Sequence, residues 1–228
     1  MTILTPFVVL AGLLLSASVA DGQDLSHYRD ARLGTSLAAV AAAIGADQPV
    51  TTVIHRRPAL MQDIDWVPRS QLGVTGTIDP VRRVVFSFLD DQLFRIVVSY
   101  ERRRVEGLTD EDLIEALSAP YGPAAGGPLR SLQPSESPDR SEDHTVVARW
   151  DNLESSVVLL RGTYLAPVSL VLLDTRLAAM ARAAVAEAER LDLIEAPQRI
   201  IDDRRRAEEA VRKEQEKARP VNKAAFKP

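Results

Sequence analysis

Apolar positions recur along the chain with two different periods, and the two alternate. Leu37, Val40, Ala41 and Ile44 fall at helical spacing on one side of a turn-flanked segment. Thr35 or Ser36 precedes them as a hydroxyl cap and Gly45 follows as a left-handed stop, so the pattern predicts a helix through Ala43. Leu113, Ile114 and Leu117 repeat the arrangement: Thr109 caps, Glu111 and Asp112 occupy the first turn, and Pro120 ends the run.

Each predicted helix is followed by strand-like segments. After the first come Val50–Ile54, rich in β-branched residues, and Leu60–Val67, with Leu60, Ile64 and Trp66 on one face. Residues 68–80 read as a loop. Over 81–100, Phe86 and Phe88 alternate on one strand, and Phe94, Ile96, Val98 and Tyr100 on the next. A connection with an odd number of residues puts both sets on one side of the sheet. This predicts a three-residue turn around Asp90-Asp91, with one Asp in the left-handed region. After the second helix, 122–144 is rich in Gly, Pro and Ser and reads as a long mobile loop. Thr145–Trp150, Leu153–Arg161 and Tyr164–Leu173 then read as three strands in meander order, with a turn at Asp151-Asn152.

From Asp174 the period returns to helical. Leu177, Ala181, Ala184, Ala188 and Leu191 make a stripe of mostly small residues, flanked by Val185. Pro197 is expected to interrupt it. Beyond, Asp202 and Arg206, Glu208 and Arg212, and Glu209 and Lys213 are spaced i,i+4, as in a solvated helix. Pro220–Pro228 reads as a disordered end.

The expected fold class is therefore α+β. It is an antiparallel sheet of two helix-plus-meander units, with helices 35–44, 109–119 and 174–195 on one side and a projecting charged C-terminal helix. The expected boundaries are 1–20 for a signal peptide, 21–107 and 108–195 for the two units, and 196–228 for the tail. Residues 21–31 are polar and read as irregular.

The signal peptide rests on Phe7–Leu15, an apolar core of suitable length, followed by small residues at Ser18-Val19-Ala20. Cleavage is expected between Ala20 and Asp21, and the address is exported, periplasmic or secreted. An uncleaved anchor or a buried helix are the competing readings. The run is short for a membrane span, which takes about 20 apolar residues; no positive charge precedes it.

Composition narrows the chemistry. The chain of 228 residues has a net charge of −4, which gives no support to nucleic-acid binding or to an anionic membrane surface. It has no cysteine, so disulfides, thiol catalysis and thiolate metal sites are excluded. No phosphate loop, nucleophile elbow or zinc helix occurs. Neither a cofactor nor a metal site is expected. His144, after Glu142-Asp143, reads as a solvated loop residue, and His55 as a structural or surface residue.

Two clusters stand out as a speculative ligand or partner surface. Asp63 and Asp65 share a strand face, as acid–base pairs or cation ligands do, though the wet face of a half-buried strand gives the same pattern. Arg102, Arg103 and Arg104 follow the central hairpin, where they form an anion site with Arg82 and Arg83 or cross-strand pairs with Glu101 or Glu106. Trp66, Trp150 and Tyr121 are binding anchors or core.

The segments "YRDARLGTSLAAVAAAIG", "VVFSFLDDQLFRIVVSYERRRVEGLTDEDLIEALSAPYG" and "EAPQRIIDDRRRAEEAVRKEQEKARPVNK" resemble a family of exported bacterial proteins of unknown function. "LGTSLAAVAAAIG" followed by a meander is also similar to the helix-plus-sheet modules of the SmpA/OmlA outer-membrane lipoproteins and of β-lactamase-inhibitor-like proteins. That resemblance implies protein binding rather than turnover. The lipoproteins' anchoring cysteine is missing here. The expected function is a non-enzymatic protein-binding or envelope-scaffold module, with a small-ligand carrier or an enzyme as the alternative. The expected partner is another envelope protein, met through the charged C-terminal helix. The tail holds 10 basic and 6 acidic residues over 196–228, against 7 and 15 over 108–195, so folding back on its own acidic half is a competing fate.

Overall fold

The computed structural model describes residues 23–46, 49–68, 79–125, 136, 143–162 and 167–225. The signal segment, with Ala20 and Asp21, lies outside them. Seven strands form one antiparallel sheet: β3 (Thr51–His55), β4 (Met61–Trp66), β5 (Val81–Leu89), β6 (Gln92–Tyr100), β7 (His144–Asp151), β8 (Ser155–Gly162) and β9 (Val168–Asp174). Their spatial order is β3-β4-β5-β6-β9-β8-β7. The last strands of the two meanders, β6 and β9, pair with each other, Val97 opposite Val171. One continuous sheet thus joins both halves of the chain, and the α+β class and the antiparallel meanders are as the sequence predicts.

Local chemistry accounts for the helices before the meanders. In α1 (Leu37–Ala43) Ser36 is the cap, its hydroxyl accepting from the Ala39 N–H at 3.3 Å, and Gly45 takes a positive φ of 66°. In α3 (Asp110–Tyr121) Thr109 and Asp112 exchange side-chain and backbone hydrogen bonds at both ends of a capping box.

The central hairpin differs from expectation. Leu89 pairs with Gln92, so the turn has two residues, and both Asp90 and Asp91 are left-handed, at φ 45° and 65°. Their twist suits a two-residue hairpin. The parity is repaired by a bulge: the register shifts between Ser87 and Phe88, which sends Phe94 to the opposite face from Phe88, Ile96 and Val98. Aspartate tolerates this backbone better than most residues, and here each carboxylate also ties the turn to a distant segment. The Leu60 N–H donates to Asp90 Oδ1 at 2.8 Å, and the Leu37 N–H donates to Asp91 Oδ1 at 2.9 Å.

Both faces of the sheet are buried. On one, Phe86, Ile96, Val98, Leu170 and Leu172 pack with Val40 of α1 and Leu113 of α3. A small hairpin, β1 (His27–Tyr28) and β2 (Ala31–Arg32), adds Tyr28 and Ala31 to that face, in a segment whose polarity suggests irregular chain. On the other, Phe94, Val97, Val158, Val171 and Leu173 pack with Leu177, Ala178 and Ala181 of α4 (Thr175–Ala225). The closing helix therefore lies opposite α1 and α3, where the sequence reading has all three on one side. Central strands apolar on both faces demand cover on both. Each fully buried Leu or Val contributes about 1.5–3 kcal/mol.

Candidate functional site

The part of the molecule that the core does not consume is the far end of α4. Its first turn is fixed by Asp174, whose carboxylate accepts from the Leu177 N–H at 2.7 Å directly after β9. Leu177, Ala178, Ala181 and Ala188 are then buried. Past Glu195 almost every residue is exposed, through Ala225. Pro197 lies inside the helix instead of ending it, and so does Pro220. At 1.5 Å per residue the free half extends about 45 Å.

Two arginines hold the helix where it leaves the sheet. Arg57, in the β3–β4 turn, forms a two-pronged ion pair with Glu195, one hydrogen bond being 2.9 Å. Hydrogen bonding to Arg57 holds the Glu195 carboxyl below its ordinary range. Arg199 reaches back across Pro197 to Asp192, donating to its backbone carbonyl and pairing with its carboxylate, each at 3.0 Å. Proline removes a backbone donor and crowds the preceding turn; this clip spans the gap.

The exposed half carries large apolar side chains: Leu193 is 78% exposed, Ile200 61%, Val211 56% and Val221 67%. Ile194 and Ile201 are exposed as well, and charged residues surround these positions, some in local pairs such as Arg205 with Asp202 and Arg206 with Asp203. The sequence reading placed the partner surface on this helix. Ile200, Ile201, Ala207 and Val211 are legible there as its few apolar positions; that Leu193 continues the line across Pro197 is not, because the proline reads as a break.

Asp65 is exposed and bound to Arg83 by two 2.6 Å hydrogen bonds. Asp63 is half-buried in a cross-strand row with Ser87 and Arg95 on the α4 face. Burial pushes its carboxyl up, and hydrogen bonding with Ser87 opposes that shift. The face that Asp63 and Asp65 share is wet at Asp65 and half-covered at Asp63. Arg102, Arg103 and Arg104 lie in a short exposed helix, α2 (Arg102–Val105), rather than on a strand extension. The chain turns there to bury Val105 beneath the α1–α3 layer. His144 is the first residue of β7, not a loop residue.

Tyr121 and Trp150 are core residues, their rings 6.2 Å apart. The Trp150 indole donates to the Gly122 carbonyl at 2.7 Å. Trp66 lines a cleft of ≈ 180 Å³ with Tyr28, Arg29 and Ile44. Arg29, at a positive φ of 52°, lies over the Tyr28 ring at 5.3 Å and is bound to Asp79 by two 2.8 Å hydrogen bonds. That pairing holds the Asp79 carboxyl down, and burial pushes the Tyr28 phenol up to about 12.

One ion pair lacks any sequence signal. Arg149 on β7 binds Glu136 at 2.7 and 3.0 Å, both side chains almost wholly buried. Glu136 belongs to the stretch read as a mobile loop, most of which lies outside the described residues. Among the described residues no group of three acidic or histidine side chains is placed to hold a metal, and no helix is long and apolar enough to cross a membrane. No family model matches the chain, and comparison with curated proteins and with solved structures returns no match.

Proposed function

We propose that the protein is an exported, non-enzymatic protein-binding module of the cell envelope, in which the sheet body aims the free half of α4 at a protein partner. The observation that carries this reading is the exposed apolar line Leu193, Ile200, Val211 and Val221 on a helix clamped by Arg57–Glu195. A helix held away from its own core gains no burial energy from such residues, whereas a partner's groove or helix supplies it.

The carrier alternative rests on the cleft beside Arg29. At ≈ 180 Å³ it is smaller than the roughly 300–1,000 Å³ of drug-sized ligand sites, and its guanidinium is already engaged by Asp79. The helix is the better supported element.

Crosslinked capture from native envelopes tests the reading, comparing residues 21–228 with a chain ending at Pro197. The expected result is a protein, identified by mass, that is held by the longer chain and lost from the shorter. Capture independent of the helix, or a purified protein carrying a small molecule beside Arg29, overturns it. Intact mass of the envelope-derived protein tests export: retention of Met1–Ala20 overturns that part.

A further inference from the structure

We propose that the free half of α4 pairs with the same segment of a second copy of this chain, as an antiparallel two-stranded coiled coil. The inference rests on the protein-binding reading of this helix and names its partner.

The exposed apolar line has coiled-coil spacing. Leu193, Ile200, Ala207 and Val221 recur at one seam position, Val211, Ala218 and Ala225 at the other, with alternating steps of four and three. Pro197 also falls on the seam. Two charged residues interrupt it, Arg204 and Glu214. Among the described residues neither has an ion-pair partner within its own chain.

Those two residues select the orientation. In a parallel, in-register pair Arg204 faces Arg204 and Glu214 faces Glu214, burying like charges at the seam. In an antiparallel pair with its twofold axis near Ala210, each Arg204 faces the second copy's Glu214. The same register sets Ile200 against Ala218 and Val211 against Ala207. At the flank Asp203 meets Lys217, and Ala210 meets its own copy, with only a methyl group on each helix between them. A slip of one heptad either way sets Arg204 against Ala207 or Val221 and leaves the charges unmatched. Only one arrangement satisfies both.

The charge gradient along the helix agrees. Residues 187–203 hold six acidic and two basic side chains, whereas 217–225 hold three basic and none acidic. Antiparallel pairing lays the basic tip of one copy beside the acidic base of the other; parallel pairing sets tip against tip. Lengths agree as well. Ala225, the last described residue of the helix, comes level with the second copy's Leu193, close to where α4 leaves the sheet. One contact opposes the pairing: Glu208 at the flank nears its own copy.

The test is the mass of the full chain, residues 21–228, by sedimentation across a concentration series, with helix content checked for each variant. A dimer is expected. Arg204→Glu and Glu214→Arg each set two like-charged pairs into the seam, and each weakens the dimer at least about tenfold. Mixing the two variants restores a heterodimer, and Glu208→Gln tightens the native one. The chain has no cysteine, so orientation is read directly. Ile200→Cys crosslinks to Ala218→Cys when the two chains are mixed, and neither crosslinks to itself. A chain monomeric at about 100 µM, indifference to both charge reversals, or self-crosslinking of Ile200→Cys overturns the proposal. If the monomeric chain still captures an envelope protein through the helix, self-pairing fails and the protein-binding reading stands. If it captures none, both fail.

Discussion

Arg149 and Glu136 meet as an ion pair that solvent scarcely reaches, and Ser156 Oγ accepts a third hydrogen bond from the same guanidinium at 3.2 Å. Removing one partner of such a pair strands the other charge, at about 3–5 kcal/mol. Glu136→Ala is expected to destabilise the protein by that amount in urea melts. Replacing both, with Arg149→Met and Glu136→Leu, recovers most of the loss, because the stranded charge disappears. A Glu136→Ala chain as stable as the parent means that the pair is not buried in solution.

The Asp90-Asp91 turn is testable by an order of stabilities. Asp91→Asn keeps both the tolerance for positive φ and an acceptor for the Leu37 N–H, and stays within about 0.5 kcal/mol of the parent. Asp91→Gly keeps only the first. Asp91→Ala loses both and costs about 1–2 kcal/mol. Chemical denaturation reads the order Asn, Gly, Ala. If Ala equals Asn, the carboxylate does not hold α1.

Asp63 gives an acid-side signature. Its carboxyl is pushed up by burial, so the folded state holds that proton more tightly than the unfolded chain. Its contribution is fully present below the unfolded value near 4 and is lost as pH rises through the folded value. Asp63→Asn removes the buried charge. Its melting temperature should exceed the parent's at neutral pH, and the gap should close toward pH 4. A gap that widens in acid would show that Ser87 and Arg95 favour the carboxylate.

Alkaline titration reads the opposite face. Burial pushes Tyr28 up to about 12, and Tyr100 and Tyr121 upward as well. Folding is therefore linked to protonated phenols: stability is full below pH about 10 and falls as pH rises through 12. Tyrosinate absorbance should appear together with unfolding, and Tyr28→Phe should flatten the alkaline loss. Ionisation of all tyrosines near 10 in the folded protein excludes this linkage.

Those tests bear on features unequally visible in the amino-acid order. Ser36, Thr109 and Gly45 announce α1 and α3 because capping chemistry is local. The meanders announce themselves because alternation is local too. The side of the sheet taken by α4 is not local: the stripe from Leu177 to Ala188 says that one face of the helix is buried, and nothing about what covers it. Val157–Leu160 is apolar at every position, so either face of β8 suits. The hairpin expectation failed on an unstated premise, that no residue is inserted; Phe94 occupies a bulge, and parity counting breaks there. Arg102–Arg104 failed similarly, by extending a strand past the point where Val105 needs the core. Arg149 and Glu136 have no helical or strand spacing between them. Of the candidate binding element, the charged helix was legible but its pairing was not: Asp202 meets Arg205 and Asp203 meets Arg206 at i,i+3, and Arg212 turns to Glu216 instead of Glu208. Its continuity through Pro197 was not legible either, since the Arg199–Asp192 contact that bridges the proline has a spacing wider than the i,i+3 and i,i+4 pairs that a helix announces.

The clamp at Glu195 also has a mechanical meaning. Packed through Leu177, Ala178, Ala181 and Ala188 and tied again at Glu195, α4 is a beam fixed along its base, with an overhang longer than the fixed length. Taken as a rod rising 1.5 Å per residue, the base is about 30 Å long and the tip stands about 75 Å from the origin. A tilt of the base that displaces Glu195 by about 1 Å then moves the tip by about 2.5 Å. Whatever tilts that base is therefore magnified at Ala225.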